Sequence, residues 1–515
     1  MESIRRRSFV PLCDVSRSGH FSVRNFCEFI DGYAFICIYA ALVLISSILG
    51  LEAFVYGVTA LLITFICLFA KDVRAVLPPV VLIVYSTSWM HTPQADSDFF
   101  NSIATFVSLG VLGVIAVAML VVRMALAKKE RFGIHPKGLQ GGMIALLIAF
   151  LLNGALSPEY VLQDFLFGAL IAASFVAIYF FVRCTGSQRS DNGCYFATCC
   201  AAAGIVIFLQ IIYALLFREV FQTASGISIT GLQILQNFLA EGSILSDLSI
   251  NKDAMIAGWG MSNNFGGMLA MFLPASLYLV YKLRHGWLFY LFAFLQLGAI
   301  ACTLSRTALL TGGVLLVGGA IILSVVRSPR RAFVRGCNLF MIAGIAAIGF
   351  LFFDRIREIF ATIFDRGFGD SNRFAIWQFG WEKYLSAPLF GSGFYIHFYP
   401  DFGFDIANWV FPDMYHNIFV QIFASCGLIG MMAYLYHISQ VLCLLFRRPT
   451  ADRILYLSIF LAVSGASLLD NHVFHIFPAL LYSLALGLWE LDVNNHSRGA
   501  LWHTERAEKR FPTFV

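Results

Sequence analysis

The sequence predicts an all-α integral membrane protein with about fourteen transmembrane helices, both termini cytoplasmic. Three observations lead there. Of 515 residues, 59% are hydrophobic and 13% charged, and the mean hydropathy is +0.78, a balance that excludes a water-soluble globule. Apolar runs long enough to cross a bilayer recur along almost the whole length, so one membrane domain takes nearly all of the chain. Clusters of Arg and Lys fall on alternate connections between those runs.

The runs give spans at 30–50, 52–70, 73–90, 101–126, 140–156, 161–182, 194–217, 256–281, 287–303, 307–326, 336–353, 416–446, 454–469 and 474–490. Arg5 to Arg7, Lys71 with Arg74, Lys128 to Lys137, Arg183 with Arg189, Lys282 with Arg284, Arg327 to Arg335 and Arg447 to Arg453 then mark the cytoplasmic side. The alternation supports the helix number, because one missed or invented span would put later clusters on the wrong face. Residues 1–29 read as a cytoplasmic segment, 30–353 as helices one to eleven, 354–415 as a long outer loop, 416–490 as the last three helices and 491–515 as a cytoplasmic tail. No cleavable signal peptide is expected, since the first apolar run is long and another follows at once. The tail from about Asn494 reads as a short solvated end.

The outward connections 90–100, 218–255 and 354–415 are longer than the rest, and the last carries more Asp and Glu than Arg and Lys. None of the twelve cysteines lies in them, so no disulfide is predicted. Nearly a third of 354–415 is Phe, Tyr or Trp, which is not the composition of a linker. Asn372 can cap a helix that begins at Arg373, and Phe374, Trp377, Trp381 and Tyr384 recur along it until Pro388 stops it. This fits an interfacial helix. Its rings serve either as an aromatic belt at headgroup level or as flat surfaces for stacking sugars.

Where this loop re-enters the membrane stand His416 and Asn417, nine mostly apolar residues, and Gly427-Leu428-Ile429-Gly430. A histidine beside a small amide, at the mouth of a helix that can pack closely through glycines, is equipped to take a proton from a hydroxyl at the membrane surface.

These residues belong to an ordered set: Gly260-Met261-Ser262-Asn263-Asn264 ahead of an apolar helix with Pro274; Thr303-Leu304-Ser305-Arg306-Thr307; Arg373 ahead of Trp377; Pro388-Leu389-Phe390-Gly391-Ser392-Gly393; and His416-Asn417 with Gly427 and Gly430. In that order the second half of the chain resembles the O-antigen ligase and polymerase superfamily of bacterial envelope proteins. The first 250 residues show only helices of the right kind.

The resemblance implies transfer of a glycan from an undecaprenyl diphosphate donor to an acceptor sugar hydroxyl on the periplasmic face of the bacterial inner membrane. The acceptor is a second lipid-linked repeat unit in a polymerase or lipid A-core in a ligase. The helix number leans toward a polymerase of O-antigen or exopolysaccharide, for which a chain-length regulator is a possible partner. The donor already carries a good leaving group, so the protein has to hold two phosphates and help deprotonate the attacking hydroxyl. Arg306, at an outer helix end with no acidic neighbour, is the first diphosphate candidate, and Arg373, at a helix start where the dipole also favours an anion, is the second. Arg366 is the nearby competitor. His416 is the candidate general base, Asp413 a candidate to orient it, and Asn417 and Trp377 supporting residues.

Arginines can supply the positive charge, so no catalytic metal and no cofactor are expected. Asp96-Ser97-Asp98 reads as a polar loop, and Asp470, His472 and His475 as a chance cluster. No Gly-x-x-x-x-Gly-Lys loop appears, and neither ATP nor nucleic acid is expected as a partner. The other class is a transporter or flippase of lipid-linked sugars. The absence of an obvious internal repeat, spans poor in buried charge, and one late, asymmetric outer loop favour the enzyme.

Overall fold

A computed structural model describes residues 23–70, 72–86, 103–126, 138–158, 160, 162–186, 189–241, 248–250, 262–283, 286–325, 331–351, 353, 357, 373–393, 415–447, 452–470 and 476–503. The described chain is mostly helical: α1 (Val23–Ile30), α2 (Tyr33–Leu49), α3 (Glu52–Phe69), α4 (Leu77–Ser86), α5 (Ile103–Ala125), α6 (Gln140–Ala155), α7 (Leu162–Thr185), α8 (Asn192–Phe217), α9 (Gly231–Glu241), α10 (Ser262–Lys282), α11 (Trp287–Cys302), α12 (Arg306–Val325), α13 (Arg331–Leu351), α14 (Arg373–Ser386), α15 (Ile418–Arg447), α16 (Arg453–Asp470) and α17 (Ile476–His503). A 3₁₀ turn, Val73–Val76, precedes α4, and β1 (Phe221–Gln222), β2 (Ser228–Ile229) and β3 (Ser249–Ile250) form a small antiparallel sheet in the order β2-β1-β3.

Among the described residues α8, α12 and Ile418–Phe446 of α15 are long and apolar enough to cross a membrane. Most of the others are shorter apolar helices. This is the composition of an integral membrane protein built from helices, which make most of their backbone hydrogen bonds within their own segment.

Pairwise contacts fix the helix directions. Gly266 of α10 faces Ala308 at the start of α12, while Leu277 meets Gly319 further along, so the two run parallel. Tyr278 donates to Asp452 Oδ1 at 2.5 Å and Lys282 pairs with it at 2.8 Å, so α16 starts where α10 ends. α6 runs against α15, with Gly142 beside His437 and Asn153 beside Gly430. At the core, Phe196, Tyr456 and Trp489 stack across α8, α16 and α17.

One end of the bundle gathers cations. Arg74 meets Asp31 at 2.6 Å and Asp191 at 2.8 Å, and Arg189 also pairs with Asp31. Burial works against the Asp191 carboxylate, but the hydrogen bond and charge of Arg74 outweigh it and hold its pKa below the usual value. Arg123 donates to the carbonyls of Cys67 and Ala70, closing the last turn of α3.

One expectation needs correction. The helices are not poor in buried charge: Arg183 pairs with Glu490 at 3.4 Å, both nearly inaccessible, and Glu490 also accepts from Tyr179 and Gln140. Burying an ion pair is tolerable only when the remaining lone pairs are met, and here Tyr179 and Gln140 meet them. The helix that holds the apolar run 474–490 extends past it, because α17 continues without a break to His503. Glu490 and the buried Asp492 look like the end of a span in sequence, but they face protein.

Candidate active site

The site is organised by a break in α15. Gly427 has φ 61° and ψ −160°, a conformation essentially confined to glycine, so α15 is two helical pieces joined by one extended residue. In an unbroken helix the amides of 428 and 429 would bond to the carbonyls of 424 and 425. Here both pairs are exchanged with the segment that follows α14. Leu428 donates to the Pro388 carbonyl at 2.9 Å and Ile429 to the Leu389 carbonyl at 3.2 Å. In return the amides of Ser392 and Gly393 donate to the carbonyls of Ala424 and Ser425 at 2.9 and 3.0 Å. All four groups are satisfied, which an apolar surrounding demands.

The exchange needs close backbone approach on both sides. A Cβ on Gly427 would lie 2.6 Å from the Leu389 carbonyl, and one on Gly391, at φ 75°, would strike the backbone of Ser425 and Cys426. Ser157 of the α6 end adds a bond to the Ser392 carbonyl. The sequence suggested that both glycines of Gly427-x-x-Gly430 serve close helix packing. Gly430 does face Asn153 of α6, whereas Gly427 creates the gap that 388–393 fills.

This splice sets α14 alongside the first half of α15. Ile376 and Phe379 pack with Tyr415, Val420 and Ala424, and Gly380 faces the Tyr415 ring and Val420. Further along, Trp381 and Tyr384 close on Phe423, with ring centroids 6.2 and 5.1 Å apart. The two helices therefore run parallel, and Arg373, the first residue of α14, stands at the same end as His416. The helix expected between Arg373 and Pro388 is present, while Asn372, its expected cap, lies outside the described residues. Trp377 is half-buried against Phe374, and its buried indole N–H has no hydrogen-bond partner among the described residues.

His416 is half-buried and takes φ 51°, a left-handed turn between the loop and α15. Both its neighbours are pinned. The Tyr415 amide donates to Gln421 Oε1 at 3.0 Å, and Asn417 Oδ1 caps the helix by accepting from Phe419 and Val420 at 2.9 and 3.2 Å. Gln421 Nε2 in turn donates to Ser425 Oγ at 2.9 Å, beside the break. Gln421 was not singled out from sequence, although a Gln four residues after Asn417 and four before Ser425, inside an apolar helix, is a readable signal.

Arg306 is the exposed first residue of α12. Leu304, at φ 54°, reverses the chain after α11, and Ser305 caps the new helix, its Oγ accepting from the Ala308 amide at 3.4 Å. Arg306 thus stands at a helix start, where the dipole favours a bound anion. α12 and α15 both pack against α16, and Asn417 reaches the Leu468 carbonyl at the end of α16. Arg306, Arg373 and His416 accordingly share the end of the bundle opposite Arg74, Lys282 and the Arg183–Glu490 pair. Asp413, Arg366 and Met261 lie outside the described residues, as do the side chains of Ser262, Asn263 and Asn264.

A fold of this kind defines an integral membrane protein built from apolar helices. Residues 291–435 match the family model described as O-Antigen ligase, which supports the O-antigen ligase/polymerase superfamily and a membrane enzyme of O-antigen or glycan assembly. The matched span runs from within α11 to within α15, and holds Arg306, Arg373, Trp377, His416, Asn417 and the Gly427 break. Gly260 to Asn264 falls outside it. No curated protein matches the chain.

Proposed function

We propose that the chain is a glycosyltransferase that moves a glycan from an undecaprenyl diphosphate donor to an acceptor sugar hydroxyl at the periplasmic face of the inner membrane, with residues 354–415 as the catalytic loop. The observation that carries this reading is the parallel seating of α14 on α15, which puts Arg373 and His416 at one end of the bundle together with Arg306. The cations at the other end would face the cytoplasm by the rule that basic loops stay inside.

In this mechanism His416 takes the proton from the acceptor hydroxyl as its oxygen attacks the anomeric carbon. The bond from that carbon to the diphosphate oxygen breaks, and the lipid diphosphate leaves with the bonding electrons. Direct displacement inverts the anomeric centre. Arg306 and Arg373, with Arg366 as a further candidate, hold the phosphate oxygens and balance the charge that grows on the leaving group, so no metal is required for that task. Asn417 fixes the backbone that carries His416, and Asp413 would orient its ring. Trp377 offers the acceptor or donor sugar a ring face and an unspent N–H donor.

The fourteen or so spans expected from the sequence favour a polymerase of O-antigen or exopolysaccharide repeat units, which would work with a chain-length regulator. The ligase description of the matched family favours transfer of a finished chain to lipid A-core. Mass spectrometry of undecaprenyl-linked glycans from a strain lacking the protein, with and without its restoration, separates the two. Accumulated single repeats mean a polymerase, and long finished chains still on the lipid mean a ligase. Accumulation of neither would overturn the reading and favour a transporter.

A further inference from the structure

We propose that α9 is an interfacial helix that lays its apolar face into lipid at the end of the bundle carrying Arg306 and His416. The helix is short and its start is set locally. The Thr230 amide donates to Gln233 Oε1 at 2.8 Å and the Gln233 amide to Thr230 Oγ1 at 3.2 Å, a reciprocal capping box.

From there the sequence Gly231-Leu-Gln-Ile-Leu-Gln-Asn-Phe-Leu-Ala-Glu241 divides at helical spacing. Leu232, Ile234, Leu235, Phe238 and Leu239 share one arc wider than about 100°, and Gln233, Gln236, Asn237 and Glu241 share the opposite one. Most of the apolar arc is exposed: Leu239 is 75% exposed, Leu235 48%, Phe238 43% and Leu232 37%. A contiguous apolar face of this kind requires a cover.

Lipid is the occupant the surroundings favour. Gly231 abuts the Leu215 carbonyl, so the start of α9 packs on the last turns of α8, a helix apolar and long enough to cross a membrane. Ile212, Leu216 and Phe217 on those turns are exposed and apolar too. The sheet holds the segment at both ends, with β1 and β2 before α9 and β3 after it on the free edge of β1. Within the helix only Glu241, its last residue, is charged, so attachment rests on apolar burial and not on attraction to anionic headgroups.

The test places p-benzoylphenylalanine at position 239, and separately at 236, in the full-length protein reconstituted into palmitoyl-oleoyl phosphatidylcholine vesicles. Both sites are exposed, so neither replacement disturbs packing. After irradiation, mass spectrometry should find a phosphatidylcholine adduct at 239 and none above background at 236, and position 235 should repeat the result for 239. Adducts at 239 and 235 only to this chain or to a second copy, equal lipid adducts at 239 and 236, or no lipid adduct at all would each overturn the proposal.

Discussion

Asn417 joins the first turn of α15 to the last turn of α16: its Nδ2 donates to the Leu468 carbonyl at 3.1 Å, while its Oδ1 caps the amides of Phe419 and Val420. Asn417→Ala loses both functions, which costs about 1–2 kcal/mol by the usual worth of a helix cap and a neutral hydrogen bond. Asn417→Asp keeps the cap acceptor and loses only the donor to α16. Thermal unfolding in nanodiscs should rank wild type above Asp above Ala, and an Ala variant as stable as wild type would contradict this role.

The splice at Gly427 predicts a sharper effect. Gly427→Ala combines a disfavoured backbone with a Cβ 2.6 Å from the Leu389 carbonyl, and the strain alone costs about 1–3 kcal/mol. Gly298, in the middle of α11, has open space around its missing Cβ, so Gly298→Ala should be neutral or stabilising by up to about 1 kcal/mol. Apparent unfolding midpoints of the two variants, measured in the same nanodiscs, check the contrast.

The Arg183–Glu490 pair predicts non-additivity. Glu490→Leu removes the carboxylate that Arg183 pairs with at 3.4 Å, and breaking a buried pair costs about 3–5 kcal/mol. Replacing Arg183 by Leu as well removes the second buried charge of the pair and should recover part of the stability. A double variant no more stable than Glu490→Leu would show that the ion pair is not what holds this corner.

Much of this architecture was legible because apolar runs end at recognisable residues. The run read at 30–50 became α2, Tyr33–Leu49, and the helix opened by Arg373 stops at Ser386, just ahead of Pro388. The break in α15 was not legible. A glycine inside an apolar run reads as a packing contact, and what makes Gly427 a break is a partner segment 388–393 that supplies the replacement hydrogen bonds. The end of α17 was missed for a related reason: Glu490 suggests solvent until Arg183, Tyr179 and Gln140, all distant in sequence, are seen around it. The candidate site residues were chosen from residue types and their order in the sequence. Its left-handed turns at Leu304 and His416 and the bracing by Gln421 required the fold.

The central claim is that His416 takes a proton while Arg306 and Arg373 hold the diphosphate. The most direct measurement is product formation by purified protein in vesicles supplied with an undecaprenyl diphosphate-linked glycan and its acceptor on one face. The account predicts new glycosidic product with wild type and none with His416→Ala, although that variant folds. Arg306→Ala and Arg373→Ala should each slow transfer about 10–100-fold, the worth of a charge-assisted hydrogen bond, and Lys should recover only part of it. Full turnover by His416→Ala would contradict the account.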